Sequence, residues 1–251
     1  MQANSVQRFT FQGVNISALN QQNAIDILLE ENFDKPAYIC FPDSYTVLSA
    51  KKNTALKQIL NAALLTMPDG KPLEFAARKQ ELKNVTTVSG FWTCKALLAD
   101  NSKSHFFYGS RPNVLERLEV KLKKEFPQAN ILGFRSPPFV ELDAITTSEI
   151  IQTDIKEIAG KKPDYIWIGL SSPKQDYLMA HFYATLSGGV MLGIGGVFEY
   201  LSGDVQKSPE WVKKLGLRWL YRLLKEPKRL WRKYFFVMRQ MMVIMLTPKG
   251  R

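Results

Sequence analysis

The sequence has few of the residues that cross-link small folds or hold structural metals. Its 251 residues include two cysteines, Cys40 and Cys94, and two histidines, His105 and His181, with no Cys-x-x-Cys pair. This scarcity excludes a disulfide scaffold and a structural zinc protein, because both need several such residues at close spacing. We expect both cysteines to be small buried hydrophobic residues in a reducing compartment.

Long apolar runs are also missing. Residues 1–12 lack the apolar core of a secretory signal peptide. Near the C-terminus the longest apolar stretch, residues 234–246, is interrupted by Arg239 and Gln240. It is shorter than the roughly 20 apolar residues that a membrane-spanning helix requires. We therefore expect this segment to lie on a surface or in a core and not to span a membrane.

Acidic residues are scarce in the last part of the chain alone. The formal net charge is +11. Residues 207–251 contain 13 lysines and arginines against two acids, Glu210 and Glu226, whereas residues 1–206 contain 21 basic and 21 acidic residues. This distribution predicts a neutral body, residues 1–206, and a basic appendage, residues 207–251. The appendage should face something anionic: a membrane surface, phosphates or nucleic acid.

The hydrophobic pattern indicates an α/β fold. Short apolar runs, often β-branched, alternate with amphipathic stretches, as in a mostly parallel sheet with right-handed helical crossovers. The predicted strands are residues 37–41, 85–88, 105–108, 130–133, 165–169 and 190–194. The predicted helices are residues 53–64, 72–78, 92–100, 114–126, 147–159 and 175–187.

Ligands bind parallel sheets beyond the carboxyl ends of the strands, so the loops after the apolar runs are where we expect a site. These loops are residues 42–44, 68–70, 109–112, 136–139, 170–175 and 195–199. In the second of them, Pro68-Asp69-Gly70 has two interpretations. It is a common turn tripeptide, and it also allows the Asp69 carboxylate to point into a cleft as a general base.

Two further loops also have two interpretations each. The stretch from Gly193 through Gly195 and Gly196 to Glu199 fits a tight strand-to-helix turn or a backbone that approaches a nucleotide phosphate. It lacks the Gly-x-Gly-x-x-Gly spacing, which disfavours a nicotinamide site. Residues 171–175, Ser-Ser-Pro-Lys-Gln, fit the start of a helix or a loop that offers free amides to a phosphate.

The segment from residue 211 to 239 interleaves aromatic and aliphatic residues with arginine and lysine. Three interpretations are open: a solvated basic face on packed helices, an interfacial helix on anionic lipid, or nucleic-acid binding. The neutral body and the lack of a recognisable nucleic-acid module disfavour the last. The basic residues that share one helical stripe are Arg218, Arg222, Lys225, Arg229, Arg232 and Arg239.

Taken together, these motifs resemble the WecG/TagA/CpsF glycosyltransferases of bacterial polysaccharide and teichoic-acid synthesis, over about residues 11–236. The most specific stretches are PDYIWIGLSSPKQ at 163–175, GIGGVFEYLSG at 193–203, SPEW at 208–211 and GLRWLYRLLKEPKRL at 216–230. The tripeptide at 68–70 and Ser-Pro-Pro-Phe at 136–139 add support.

The resemblance implies an inverting transferase that moves a hexose or N-acetylhexosamine from a UDP-sugar to a polyprenyl-diphosphate-linked sugar. It would act at the cytoplasmic face of the bacterial plasma membrane. A Rossmann-like body would carry Asp69 as the general base, and the basic helical appendage would dock on the membrane and close the site. The implied substrate-binding residues are Asp43, Gly109, Phe139, Pro173, Lys174, Gln175, Gly193, Gly195, Gly196, Glu199, Arg222, Arg229 and Arg232.

The chain contains no Asp-x-Asp motif of the kind that chelates a metal in many sugar transferases. We therefore expect a metal-independent enzyme without a cofactor, in which arginines neutralise the leaving diphosphate. We expect no nucleic-acid partner.

The chain departs from the family pattern at four places, which leaves the donor sugar open. Where the family often has Thr-x-Asn after its first sheet strand, this chain has Phe41-Pro42-Asp43, and where the family often has an arginine, it has Thr87. The family's aspartate in the glycine-rich turn is replaced by Glu199, and its glycine-type continuation after Asp-Gly is replaced by Lys71-Pro72. The alternative function is a non-catalytic, membrane-associated nucleotide-sugar-binding protein of the same fold.

Overall fold

The computed structural model describes residues 2–206, 209, 212 and 218–246. It begins with an antiparallel hairpin, β1 (Arg8–Phe11) and β2 (Val14–Ser17). The main sheet contains β3 (Ala37–Cys40), β4 (Leu65–Thr66), β5 (Ser104–Gly109), β6 (Asn130–Arg135), β7 (Tyr165–Gly169) and β8 (Val190–Gly193). These strands are all parallel, in the order β4-β3-β8-β7-β5-β6.

Helices cover both faces of the sheet. They are α1 (Gln21–Glu30), α2 (Ser44–Ala50), α3 (Thr54–Ala62), α4 (Lys71–Lys79), α5 (Gly90–Leu98), α6 (Pro112–Glu125), α7 (Glu149–Gly160), α8 (Lys174–Phe182), α9 (Val197–Ser202), α10 (Arg218–Lys225) and α11 (Pro227–Leu246). The predicted α/β class with a mostly parallel sheet flanked by helices is thereby confirmed.

Alternation along the buried strands creates two apolar cores. In β7, Tyr165 and Trp167 pack on one face with α1, α5 and α6, whereas Ile166 and Ile168 pack on the other with α3, α7 and α8. Successive side chains of a strand point to opposite faces, so a strand covered on both sides must be apolar throughout. Such strands read as continuous apolar runs, which is why the sequence revealed them. Cys40 and Cys94 are both buried, as expected.

One predicted strand is wrong. Residues 85–88 are not in a strand, although Val85 and Val88 are buried and the Val88 amide donates to the Pro68 carbonyl at 2.9 Å. A short run with β-branched residues indicates a buried segment, and this segment is buried without pairing to a strand of the sheet.

Several elements were absent from the prediction: the hairpin, β4, α1, α2 and α9. Asn20 and Asp43 cap α1 and α2 by accepting hydrogen bonds from the Asn23 and Thr46 amides, and such caps are a usable sequence signal.

The appendage consists of α10 and α11 in the part of the chain that the structure describes. Residues 207 and 208, where the predicted boundary between body and appendage falls, lie outside that part. Leu230 and Met241 of α11 are buried, and Phe236 packs against the core formed by α3, α7 and α8. Among the described residues, no helix is both long enough and apolar enough to cross a membrane.

A buried histidine makes folding stability depend on pH. His105 on β5 is fully buried, accepts a hydrogen bond at Nδ1 from Trp167 Nε1 at 3.1 Å, and stacks on Tyr165. Burial lowers its pKa from 6.5 to about 4. The unfolded chain therefore binds a proton that the folded chain does not, and stability is lost as the pH falls from about 6.5 to about 4. The loss amounts to about 3 kcal/mol at the lower end.

Urea unfolding of wild type and His105→Gln at several pH values checks this prediction. The stability difference between the two proteins should change by up to about 3 kcal/mol between pH 7 and pH 4. Comparing the two cancels the opposite contribution of Asp176, whose raised pKa of about 6 adds stability as the pH falls. His181→Gln, at an exposed histidine, is the control and should not show this pH dependence. A stability difference between wild type and His105→Gln that does not change with pH would contradict the lowered pKa of His105.

Candidate active site

The carboxyl ends of the parallel strands bring the candidate loops together at one edge. The chain runs from β5 outward to β6, but from β7 it runs the opposite way to β8. Such a reversal between neighbouring strands, here β5 and β7, is where ligands bind in open α/β sheets. Gly109 and Gly169 are register partners at this point. A Cβ on Gly109, whose φ is +129°, would lie 2.7 Å from the Gly169 carbonyl carbon, so this close approach requires glycine.

Asp69 lies in the loop between β4 and α4. It is half-buried, and its backbone forms a parallel bridge with Asp43, which follows the neighbouring strand β3. Gly70 has φ +108° and precedes the first residue of α4. The tripeptide therefore connects β4 to α4 at the carboxyl edge of the sheet, and the role of Asp69 as general base stays a prediction.

Asp43 uses both of its carboxylate oxygens. Oδ1 accepts hydrogen bonds from the Thr46 amide and hydroxyl, each at 2.9 Å, and so caps α2. Oδ2 pairs with Lys233 Nζ of α11 at 2.7 Å. Burial acts to raise the pKa of Asp43, but Lys233 and the Thr46 bonds outweigh it and hold the pKa below its ordinary value. Asp43 is therefore ionised at neutral pH.

Phe139 and Lys174, from two different loops, meet in the structure. Lys174 Nζ lies 4.1 Å from the centre of the exposed Phe139 ring and donates to the Val140 carbonyl at 2.5 Å. Pro173, which follows a cis peptide bond, stands immediately before α8. The contact places the loop after β6 against the start of α8.

Gln175 is held against the glycine-rich turn. It is 3% exposed, and its Nε2 donates to the Gly193 carbonyl at 2.9 Å. Its Oε1 is buried without a hydrogen-bond partner among the described residues. A Cβ on Gly195, whose φ is +55°, would lie 3.4 Å from that oxygen. An unsatisfied buried acceptor at the sheet edge is a position where a ligand donor can bind.

The glycine-rich turn leads directly into α9. Gly195 donates its amide to the Ile168 carbonyl at 3.2 Å, and the exposed Gly196 precedes the first residue of the helix. Glu199 lies half-buried in the first turn of α9. A strand-to-helix turn, one of the two interpretations of this stretch, is present at the carboxyl end of β8, and its approach to a nucleotide phosphate stays a prediction.

Two acids at this edge were missed in the sequence. Asp176 is fully buried, accepts a hydrogen bond from the Ser172 hydroxyl, and has its pKa raised by burial to about 6. Glu74 is buried between Lys71 Nζ at 2.9 Å and Arg78 at 2.8 Å, with the Thr87 hydroxyl at 3.4 Å. Lys71 and Thr87, two of the residues at which the chain departs from the family pattern, therefore both contact the Glu74 carboxylate. A charged residue on a helix face that is otherwise apolar was the available signal for Asp176.

The appendage places Arg222 near this edge. Its guanidinium carbon lies 6.0 Å from the centre of the Tyr200 ring, and its buried Nε has no hydrogen-bond partner among the described residues. Burial acts to lower the pKa of Arg222, but Tyr200, Tyr234, Glu226 and Asp43 raise it above its ordinary value. Arg232 is exposed, and its guanidinium carbon lies 5.4 Å from the centre of the Trp231 ring. The Arg229 side chain lies outside the described part of the structure.

Within the described residues, no group of three or more His, Cys, Asp or Glu side chains is placed to hold a metal ion. The expectation of a metal-independent reaction stays a prediction, as do the individual roles of the site residues.

The protein therefore combines a parallel α/β body, whose candidate site lies at the strand ends, with a basic helical appendage that contacts this edge through Lys233 and Asp43. The family model described as glycosyl transferase WecG/TagA/CpsF family matches residues 9–250. The chain belongs to this family, which confirms the resemblance seen in the sequence.

One relative is an N-acetylglucosaminyldiphosphoundecaprenol N-acetyl-beta-D-mannosaminyltransferase from Bacillus subtilis (strain 168). It is 24% identical over 237 residues, which cover 92% of this chain and 89% of the relative.

Proposed function

We propose that the protein transfers a hexose or N-acetylhexosamine, with inversion, from a UDP-sugar to a polyprenyl-diphosphate-linked sugar. The observation that carries the proposal is the half-buried Asp69 at the carboxyl edge of the sheet, beside Asp43, whose carboxylate pairs with Lys233 of the appendage and acts on Arg222. The name of the Bacillus relative supports the substrate class, because it specifies a sugar on diphosphoundecaprenol as acceptor.

The chemistry is a single displacement at the anomeric carbon. Asp69 accepts the proton of the acceptor hydroxyl while that oxygen forms its bond to the anomeric carbon. The bond from this carbon to the β-phosphate oxygen breaks on the opposite face, and its electron pair leaves with UDP. The Arg222 guanidinium stabilises the charge that develops on the diphosphate, together with Arg229 and Arg232. Gln175 and the turn from Gly193 to Glu199 hold the nucleotide-sugar.

UDP release from a panel of UDP-sugars, with a short polyprenyl-diphosphate-sugar acceptor, tests the proposal. We expect release that requires the acceptor, occurs with one donor class, and is unchanged by EDTA because arginine donors replace a metal. The proposal does not specify the donor sugar, because the chain departs from the family pattern at residues 43, 71, 87 and 199. UDP binding without release, across a broad acceptor panel, would favour the non-catalytic binding protein.

We further propose that α11 docks the enzyme on the anionic cytoplasmic face of the plasma membrane. The spacing of Trp231, Phe235, Met238 and Met242 puts them on one helix face, and each is more than half exposed. Lys228, Arg232 and Arg239 are exposed on the same helix. Large apolar side chains beside basic ones are typical of a helix that lies in the interface of an anionic bilayer.

Trp231→Ala should weaken binding to phosphatidylglycerol-containing vesicles by about tenfold, since a large side chain loses its burial in the bilayer. Vesicle co-sedimentation measures the change. Trp92 on α5 is also 51% exposed, so Trp92→Ala is a matched control that should bind as wild type does. Equal binding by both variants would contradict docking through α11.

A further inference from the structure

Three contacts join the start of α2 to one face of α11. Lys233 Nζ pairs with Asp43 Oδ2 at 2.7 Å and lies 4.9 Å from the centre of the Tyr45 ring. The Tyr45 ring in turn meets Phe236 edge-on, with ring centres 5.6 Å apart. The body and the appendage are therefore in contact through one ion pair and one aromatic pair, which involve residues one turn apart on α11.

These contacts lie next to the proposed chemistry. Asp43 is the backbone bridge partner of Asp69, and its other carboxylate oxygen is occupied by the cap of α2. The same carboxylate acts electrostatically on Arg222 of α10. A cation from α11 thus reaches the residue beside the proposed base, while α10 presents its arginine to the same edge.

We infer that Lys233 is a positioning residue, whose pairing with Asp43 sets the register of the appendage so that Arg222 faces the departing diphosphate above Asp69. This inference rests on the proposed function. It assigns Asp43 to holding the appendage instead of to binding sugar, because both of its oxygens already have partners within the chain.

The pair should affect turnover more than stability. Asp43 is 40% exposed and Lys233 34% exposed at the side chain, and ion pairs exposed to this extent add little to folding stability. A catalytic group displaced by about 1 Å, however, can cost up to about a hundredfold in rate. The expected signature is a lower kcat with little change in KM or in Tm.

A double-mutant cycle tests the inference with Lys233→Met and Asp43→Asn. The asparagine keeps an oxygen that can cap α2 and replaces the charged oxygen that pairs with Lys233 by an uncharged amide NH2 group. We expect each variant to lose about tenfold in kcat, with the KM for UDP-sugar within about twofold, and the double variant to lose no more than either single one. Lys233→Arg, which can still pair, should stay near wild type.

The matched control is Lys95→Met, which breaks an ion pair to Glu125 of similar length, 2.8 Å, and similar exposure, away from the site. It should leave kcat unchanged. Additive losses in the double variant, wild-type kcat in Lys233→Met, or the same loss in Lys95→Met would each overturn the inference.

Amide hydrogen exchange provides a readout that needs no turnover. Lys233→Met and Asp43→Asn should both speed exchange in residues 227–246, and Lys95→Met should not. If wild type shows no sugar transfer but both variants exchange faster in residues 227–246, the proposed function is wrong, whereas the role of the ion pair in holding the appendage is supported. If wild type is active and exchange in residues 227–246 is unchanged in both variants, the positioning role fails alone.

Discussion

Asp69→Asn should lower turnover about a thousandfold while leaving UDP-sugar binding within about twofold of wild type. General-base catalysis typically contributes about 10²- to 10⁴-fold, and the amide cannot accept the acceptor's proton. The substitution keeps the size and polarity of the side chain, so the loop between β4 and α4 should keep its conformation. UDP release with saturating acceptor, and donor binding by calorimetry, are the two measurements.

Asp26→Asn on α1 is the control for this experiment. Asp26 accepts a hydrogen bond from Gln22 on the helix surface and lies outside the candidate loops, so its replacement should leave turnover unchanged. Full activity of Asp69→Asn would remove Asp69 as the base. Equal loss of UDP-sugar binding and turnover would assign it to substrate binding instead.

Arg222→Gln should lower kcat by about a hundredfold. The loss of one preorganised donor to a developing negative charge typically costs about 10²- to 10³-fold. The buried Nε of Arg222 has no described partner, and the guanidinium is held over Tyr200, so the side chain is already oriented before substrate arrives. Arg222→Lys should retain part of the activity, because it keeps the charge but loses the forked donors.

The control for Arg222 is Arg117→Gln on α6, which removes an arginine that pairs with Asp204 at 2.6 Å. Its turnover should match wild type. A rise in KM at constant kcat in Arg222→Gln would show that this arginine binds the ground state of the donor equally well and does not act on the leaving group.

The α/β class was readable from the sequence because the strands are covered on both faces. The run that forms β7 is buried at every position, and such runs stand out in any window. The same signal misled at 85–88, where two buried valines lie outside any strand. β4 is two residues long and was missed, since a pair of residues carries no periodicity.

Most of the candidate site could also be located in the sequence, as loops after apolar runs with a charged or amide side chain. Lys174 and Phe139 lie in two of the loops selected this way, and the structure shows them in contact. Asp176 and Glu74 were missed because an acid inside a helical pattern usually faces solvent, although the apolar helix face around Asp176 was a signal to the contrary. Their burial depends on partners, such as Ser172 for Asp176, that only packing brings close.

The fold class, the basic C-terminal segment and the candidate loops could be predicted from the sequence, because hydrophobic period and charge distribution are local properties. Which loops become neighbours depends on how the strands and helices pack. Asp43 lies beside Asp69 because β3 and β4 pair in register, and Lys233 reaches Asp43 because α11 packs on α2. Strand order and helix docking are set by the burial of whole faces, which no short stretch of sequence encodes.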